Sequence, residues 1–267
     1  MTEAFFVHLA PGQAVRVLVP TGMSTRQDST ASRTPILLIH GAGMSAESWD
    51  QVIEPLGAAL PTYAIDLPGH GESFTPDADW QFDFGAFIAN VCQLLECTRV
   101  HLVGNSLGAL VALEAAATNP RLTEKLVLVG IAGSTAEERA QRQQDMERRM
   151  SEPGGPPSVS LDQVMAQFVK PSRELTEQVR ASLERSEAYR AVIRRMVGGH
   201  DTAATAASVR CPTLIMCGRG DPLLARTDAF RQAFPNAESV IVEGAGHFPQ
   251  KDEPAAFVQA VLDFILR

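Results

Sequence analysis

Cysteine is scarce in this chain of 267 residues: Cys92, Cys97, Cys211 and Cys217 are all it has. They form no Cys-x-x-Cys pair and no metal-type Cys/His spacing, so no metal site is expected. Cys92, Cys211 and Cys217 fall in apolar runs and read as small core residues, as suits a reducing cytoplasm. Basic residues are outnumbered, 23 against 31 acidic, and the net charge of −8 favours solubility and argues against a nucleic-acid partner. No apolar run reaches the roughly 18 residues of a membrane span. The opening Met-Thr-Glu-Ala-Phe-Phe-Val-His carries no basic n-region and no long apolar stretch, so no signal peptide is visible and a cytoplasmic protein is expected. Internal repeats and low-complexity tracts are missing too.

What is present is an ordinary globular composition, 45% hydrophobic and 20% charged, in a chain long enough for one large core. Residues 4–9 and 14–20 alternate well enough to form a hairpin opened at Pro11-Gly12. Strand candidates recur at 36–40, 62–66, 100–104, 125–130, 212–217 and 238–242. Helical segments near 47–59, 83–97, 106–118 and 253–266 alternate with them. Alternation of this length implies an α/β fold with a mostly parallel sheet, covered by helices on both faces.

One of those strand candidates runs into Gly104-Asn105-Ser106-Leu107-Gly108 and then into a helix. A Gly-x-Ser-x-Gly in this strand–turn–helix setting is a nucleophile elbow, with Ser106 at the apex of a tight turn. The helix start behind it leaves unpaired N–H groups and a partial positive charge facing a reacting carbonyl. A nucleophilic serine needs a base, and the base needs an orienting acid. His247 lies in a Gly-rich loop after the last strand candidate, and Asp221 follows the one before it. His70, in a Pro-Gly-His-Gly turn, reads as structural.

The order Ser106, Asp221, His247 resembles that of an α/β-hydrolase-fold serine hydrolase, esterase- or lipase-like, along nearly the whole chain. Ile-Leu-Leu-Ile-His-Gly-Ala-Gly (36–43) resembles the family's strand and oxyanion loop, and Asp-Leu-Pro-Gly-His-Gly (66–71) the turn after its next strand. Gly-His-Phe-Pro-Gln-Lys-Asp-Glu-Pro (246–254) resembles its His loop and last helix. The resemblance implies an eight-stranded, mostly parallel sheet with an inserted helical cap. It further implies Ser106 as nucleophile, His247 as base and Asp221 as its orienting acid, with an oxyanion hole from the backbone N–H groups of Leu107 and Ala42. Gly43 and Met44 remain alternatives for the second donor. No cofactor and no metal are implied.

The alternation breaks between about 134 and 205, which divides the chain into a core of residues 1–133 and 206–267 and a cap of residues 134–205. The cap reads as a charge-rich helix over 136–150, a Gly/Pro hinge over 153–157, and a second helix opened by a Ser160/Gln163 capping box. Leu161, Val164, Met165, Phe168 and Val169 form the apolar stripe of that second helix. A third stretch, 172–197, repeats the pattern at Tyr189, Val192, Ile193, Met196 and Val197. Gly41, Asn105, Met165, Phe168 and Phe248 are the candidate substrate-pocket residues.

The function expected is hydrolysis of a small, partly apolar carboxylic ester, lactone or thioester through an acyl-enzyme. Gly-Asn-Ser-Leu-Gly also resembles the family's carbon–carbon bond hydrolases of β-diketones or ring-cleavage products. That subgroup carries a Gly-Pro-Gly-like loop and a Trp after the His, where this chain has Gly43-Met44-Ser45 and Phe248. A ligand-sensing, receptor-like protein on the same fold is a further alternative.

Overall fold

A computed structural model describes residues 2–23, 33–77, 83–131, 160–189, 200–234 and 237–267, with positions 140, 141, 144, 145 and 148. The chain opens on a hairpin, β1 (Thr2–Ala10) and β2 (Gln13–Pro20), whose loop is Pro11-Gly12. Then come β3 (Ile36–Ile39), α1 (Ile53–Gly57), β4 (Thr62–Ile65), α2 (Phe84–Leu94), β5 (Val100–Asn105), α3 (Leu107–Thr118) and β6 (Thr123–Val129). Two helices, α4 (Leu161–Met165) and α5 (Arg173–Ser186), precede α6 (Thr202–Ser208), β7 (Thr213–Gly218), α7 (Leu224–Arg231) and β8 (Ala237–Val242). The chain ends in α8 (Pro249–Asp252) and α9 (Pro254–Ile265). The eight strands form one sheet in the order β1-β2-β4-β3-β5-β6-β7-β8. From β4 to β8 every pair is parallel, and β1 and β2 are the antiparallel edge.

The central strands are continuous apolar runs because both faces of the sheet are covered. In β3, Leu37 and Ile39 join the core beneath α2 and α3, while Ile36 and Leu38 join the opposite core against α1 and α9. In β6, Leu126 and Leu128 face the first core and Val127 and Val129 the second. Helix α3 is buried nearly all round, and its Ala-rich sequence lets α2 and α6 pack closely on it. A third, smaller core joins Val164, Phe168, Leu175, Val179 and Leu183 to Met44, after β3, and Phe248, after β8.

Several expected details of residues 134–205 differ. The Ser160/Gln163 capping box forms, but the helix it opens stops at Met165, and Val169 is 50% exposed rather than part of a buried stripe. Helix α5 buries Leu175, Val179 and Leu183, a stripe N-terminal to the expected one. Tyr189 is buried after its end, whereas Val192, Ile193, Met196, Val197, the hinge at 153–157, the start of the region at 134 and most of the helix at 136–150 lie outside the described residues. Cys92 and Cys217 are buried and Cys211 is half-buried. Among the described residues no helix is long and apolar enough to cross a membrane.

Candidate active site

Because β3 and β5 to β8 run parallel, the segments that follow them emerge at one edge of the sheet, where open α/β sheets form their ligand sites. Ser106 follows β5 directly, with φ 54 and ψ −111. That left-handed backbone is rare for a side-chain-bearing residue and stores strain at the apex of the turn. The Ser106 N–H is held by the Val129 carbonyl at 2.8 Å. Close approach on both sides of the turn requires glycine. A Cβ on Gly104 would lie 2.1 Å from the Gly108 carbonyl oxygen, and one on Gly108 would lie 2.0 Å from that of Ile39.

Asp221 and His247 meet in the loops after β7 and β8. The Nδ1–H of His247 donates to Asp221 Oδ2 at 2.9 Å, and the Leu223 N–H binds the other oxygen at 2.8 Å. Burial alone would raise the Asp221 carboxyl, but the hydrogen bond and charge of His247, with the Leu223 N–H, hold it below the usual carboxylate range. An ionised carboxylate only accepts, so it fixes the proton of a neutral ring on Nδ1 and leaves Nε2 as the acceptor. The imidazole rests against Gly130, just past β6. Both sides are joined by Asn105, whose Nδ2 donates to the His247 carbonyl at 3.1 Å. Asn105 is thus buried as a brace between the elbow and the His loop.

His40 and His70 shape the loop after β3. His40 donates from Nδ1 to the Gly41 carbonyl (2.8 Å) and accepts the Leu67 N–H at Nε2 (2.9 Å), so both ring nitrogens are engaged in the backbone. Burial, outweighing the bond to Gly41, pushes its ring down to about 4. His70 accepts the Gly43 N–H at 3.2 Å, and the Met44 N–H closes a tight turn onto the Gly41 carbonyl at 3.1 Å. Those two bonds use the N–H groups of Gly43 and Met44. The N–H groups of Ala42 and Leu107 find no acceptor among the described residues. Gly41 is buried against Asn105 and Ser106, while Ala42 is exposed.

The remaining expected residues sit in the small core above this loop. Phe168 and Phe248 are buried and stacked on each other, centroids 4.3 Å apart, and Phe248 meets the His247 ring edge-on at 5.1 Å. Met165 is half-buried beside them. Helix α5 is fastened over the loop by Ser182 Oγ to Ser45 Oγ (3.2 Å) and by Gln178 Nε2 to the Glu47 carbonyl (3.1 Å).

Three side chains that organise this region were not singled out in the sequence. Asp66, fully buried, accepts the Ala46 N–H at 2.7 Å and the Glu72 N–H at 2.9 Å. Lys251, also buried, donates to Asp50 Oδ1 (2.7 Å), Gln178 Oε1 (3.0 Å) and the Glu47 carbonyl (3.1 Å). Asp252 accepts backbone N–H groups from both α4–α5 and the His loop. Asp66 opens the 66–71 motif and the other two lie in the 246–254 motif, but Asp66 also binds Ala46, Asp252 binds Val169 and Lys170, and Lys251 binds Glu47, Asp50 and Gln178, all outside those motifs, so the motifs alone did not expose their roles.

The chain matches the model of the alpha/beta hydrolase family over residues 36–260. It is 28% identical to a 2-hydroxy-6-oxononadienedioate/2-hydroxy-6-oxononatrienedioate hydrolase of Cupriavidus pinatubonensis, covering 89% of each chain. It is 27% identical to an (E)-2-((N-methylformamido)methylene)succinate hydrolase of Acinetobacter baylyi, over 85% of this chain and 88% of that one. Among solved structures it resembles an enol-lactonase of Burkholderia xenovorans, with a TM-score of 0.78, 18% identity and coverage of 98% of this chain and 100% of that one. A thermophilic esterase of Thermogutta terrifontis matches with a TM-score of 0.75 and 21% identity, over 100% of this chain and 98% of that one. At these identities the structural likeness speaks for the fold. The eight-stranded sheet and the family match over most of the chain therefore agree, and the protein belongs to the alpha/beta hydrolase family.

Proposed function

We propose that the chain is a serine hydrolase cleaving a small carboxylic ester, or a chemically close lactone or thioester, through an acyl-enzyme on Ser106. The observation that carries this reading is the 3.1 Å bond from Asn105 to the His247 carbonyl, because it ties the serine turn to the Asp221–His247 pair. In the first half-reaction Ser106 Oγ attacks the carbonyl carbon while His247 Nε2 takes the hydroxyl proton. Asp221 stabilises the imidazolium that forms, and the Ala42 and Leu107 N–H groups receive the oxyanion, each worth about 3–4 kcal/mol in comparable sites. His247 then returns the proton to the leaving alcohol. Water, activated by the same imidazole, releases the acid. The apolar core of Met44, Phe168, Leu183 and Phe248 supports a substrate with a partly apolar group.

A second reading, a carbon–carbon bond hydrolase, is favoured by Asn105 before Ser106 and by the name of the Cupriavidus relative. It would use the same groups, with a ketone carbonyl at Ser106. Parallel assays with a short-chain nitrophenyl ester and a vinylogous diketone chromophore separate the two. Ester turnover abolished by Ser106→Ala supports the first reading. Diketone turnover with no ester turnover overturns it.

A further inference from the structure

Resting on the proposed role of His247, we infer that Asp252 is a positioning residue that locks the base-bearing loop to the α4–α5 turn, making that turn part of the catalytic assembly. Five contacts carry this. The His247 N–H donates to the Gln167 carbonyl at 2.9 Å, so the base's own backbone is held by the inserted region. The Asp252 carboxylate, 3% exposed, accepts the Val169 N–H at 3.0 Å and the Lys170 N–H at 2.9 Å on one oxygen. Its other oxygen accepts the Gly246 N–H at 2.9 Å, immediately before His247. Lastly, the Val169 side chain packs over Gly220, next to Asp221: a Cβ there would lie 3.5 Å from Val169 Cγ2.

The turn 167–170 therefore touches the loops of both the acid and the base. With Asn105 holding the His247 carbonyl, the base is gripped through its N–H from above and through its C=O from the elbow. The Asp252 side chain is buried behind the loop and, among the described residues, its carboxylate bonds only backbone N–H groups of the turn and of Gly246, so it acts through His247. A buried carboxylate with three N–H donors cannot be replaced by an amide without turning an NH2 toward at least one of them. A displacement of the base by about 1 Å is enough to cost about a hundredfold in rate.

The test is Asp252→Asn, compared with wild type for kcat and KM on the turned-over ester, and for labelling of Ser106 by a fluorophosphonate, each normalised to folded protein. The expected result is a fall in kcat and in labelling rate of at least about tenfold with KM within about twofold, because binding is spared and alignment is lost. Unchanged kcat and labelling in folded protein overturn the proposal. Should Asp252→Asn fail to fold, Gly246→Ala decides. Its Cβ would lie 2.2 Å from the Gln167 carbonyl oxygen, prising the turn off the loop with the carboxylate intact, and the same fall in kcat is expected. Wild-type kcat in that variant contradicts the lock. If the wild type neither labels at Ser106 nor turns over ester, the proposed function fails separately. The lock is then read by hydrogen exchange in Asp252→Asn, where peptides covering 165–171 and 243–249 lose protection together if it exists. Loss in the first alone overturns it.

Discussion

Ser106 holds a backbone conformation that an L residue adopts at a cost of about 1–3 kcal/mol, and the surrounding backbone has to impose it. Gly104 and Gly108 make that possible by letting β5, α3 and the end of β3 touch backbone to backbone. Gly104→Ala should therefore lower stability by about 3 kcal/mol or more, read as a fall in melting temperature or loss of folded protein. A variant melting with the wild type would contradict the packing described. Asp221→Asn should keep the fold and lower kcat by about 10⁴-fold, since an amide can hold the imidazole in the wrong tautomer. Full activity in that variant would remove Asp221 from the mechanism. At this scale the sequence was informative where chemistry and local geometry coincide. Ser106, Asp221 and His247 each sit in a Gly-rich turn after an apolar run. Asp252 gave no such signal, because it binds backbone N–H groups at 169 and 170 that any residue other than proline could supply.

Among the elements, the central strands were legible because burial on both faces demands continuous Val, Ile and Leu, and α2 and α9 because each buries one stripe. The last helix shows the rule. Phe257 is fully buried in α9 and meets Trp49, their rings 5.9 Å apart, so Phe257→Ala should cost about 3–5 kcal/mol in a denaturant melt. A loss under about 1 kcal/mol would mean the site collapses around the deletion. Helix α5 was harder to read. Its buried face carries Ser182 and Ser186 beside Leu175, Val179 and Leu183, and serines break the apolar pattern that periodicity relies on. The second helix ends at Met165 because the chain after it is drawn to the His loop, through contacts more than 70 residues away in sequence.

For the molecule as a whole, buried histidines set a pH window for stability. Burial pushes His40 and His101 each down to about 4 from an unperturbed 6.5. The unfolded chain takes up those protons near pH 6.5, while the folded chain resists until about 4. The stability they contribute is therefore complete above about pH 6.5 and is lost as the pH falls through the window to about 4. Melting temperatures measured between these limits should fall steadily with pH. A flat profile would mean that neither ring stays neutral inside the fold. The parallel sheet brings the loops after β3, β5, β7 and β8 to one edge, and the α4–α5 segment packs on them, so the whole assembly is answerable to one chemical question. That question is whether the Ser106 hydroxyl is activated by His247. Fluorophosphonate labelling with peptide mass mapping, run on the wild type and on His247→Ala, asks it directly. Rapid label on Ser106 is expected in the wild type, and almost none in the variant. No label on Ser106, or the same labelling rate without the imidazole, would contradict it.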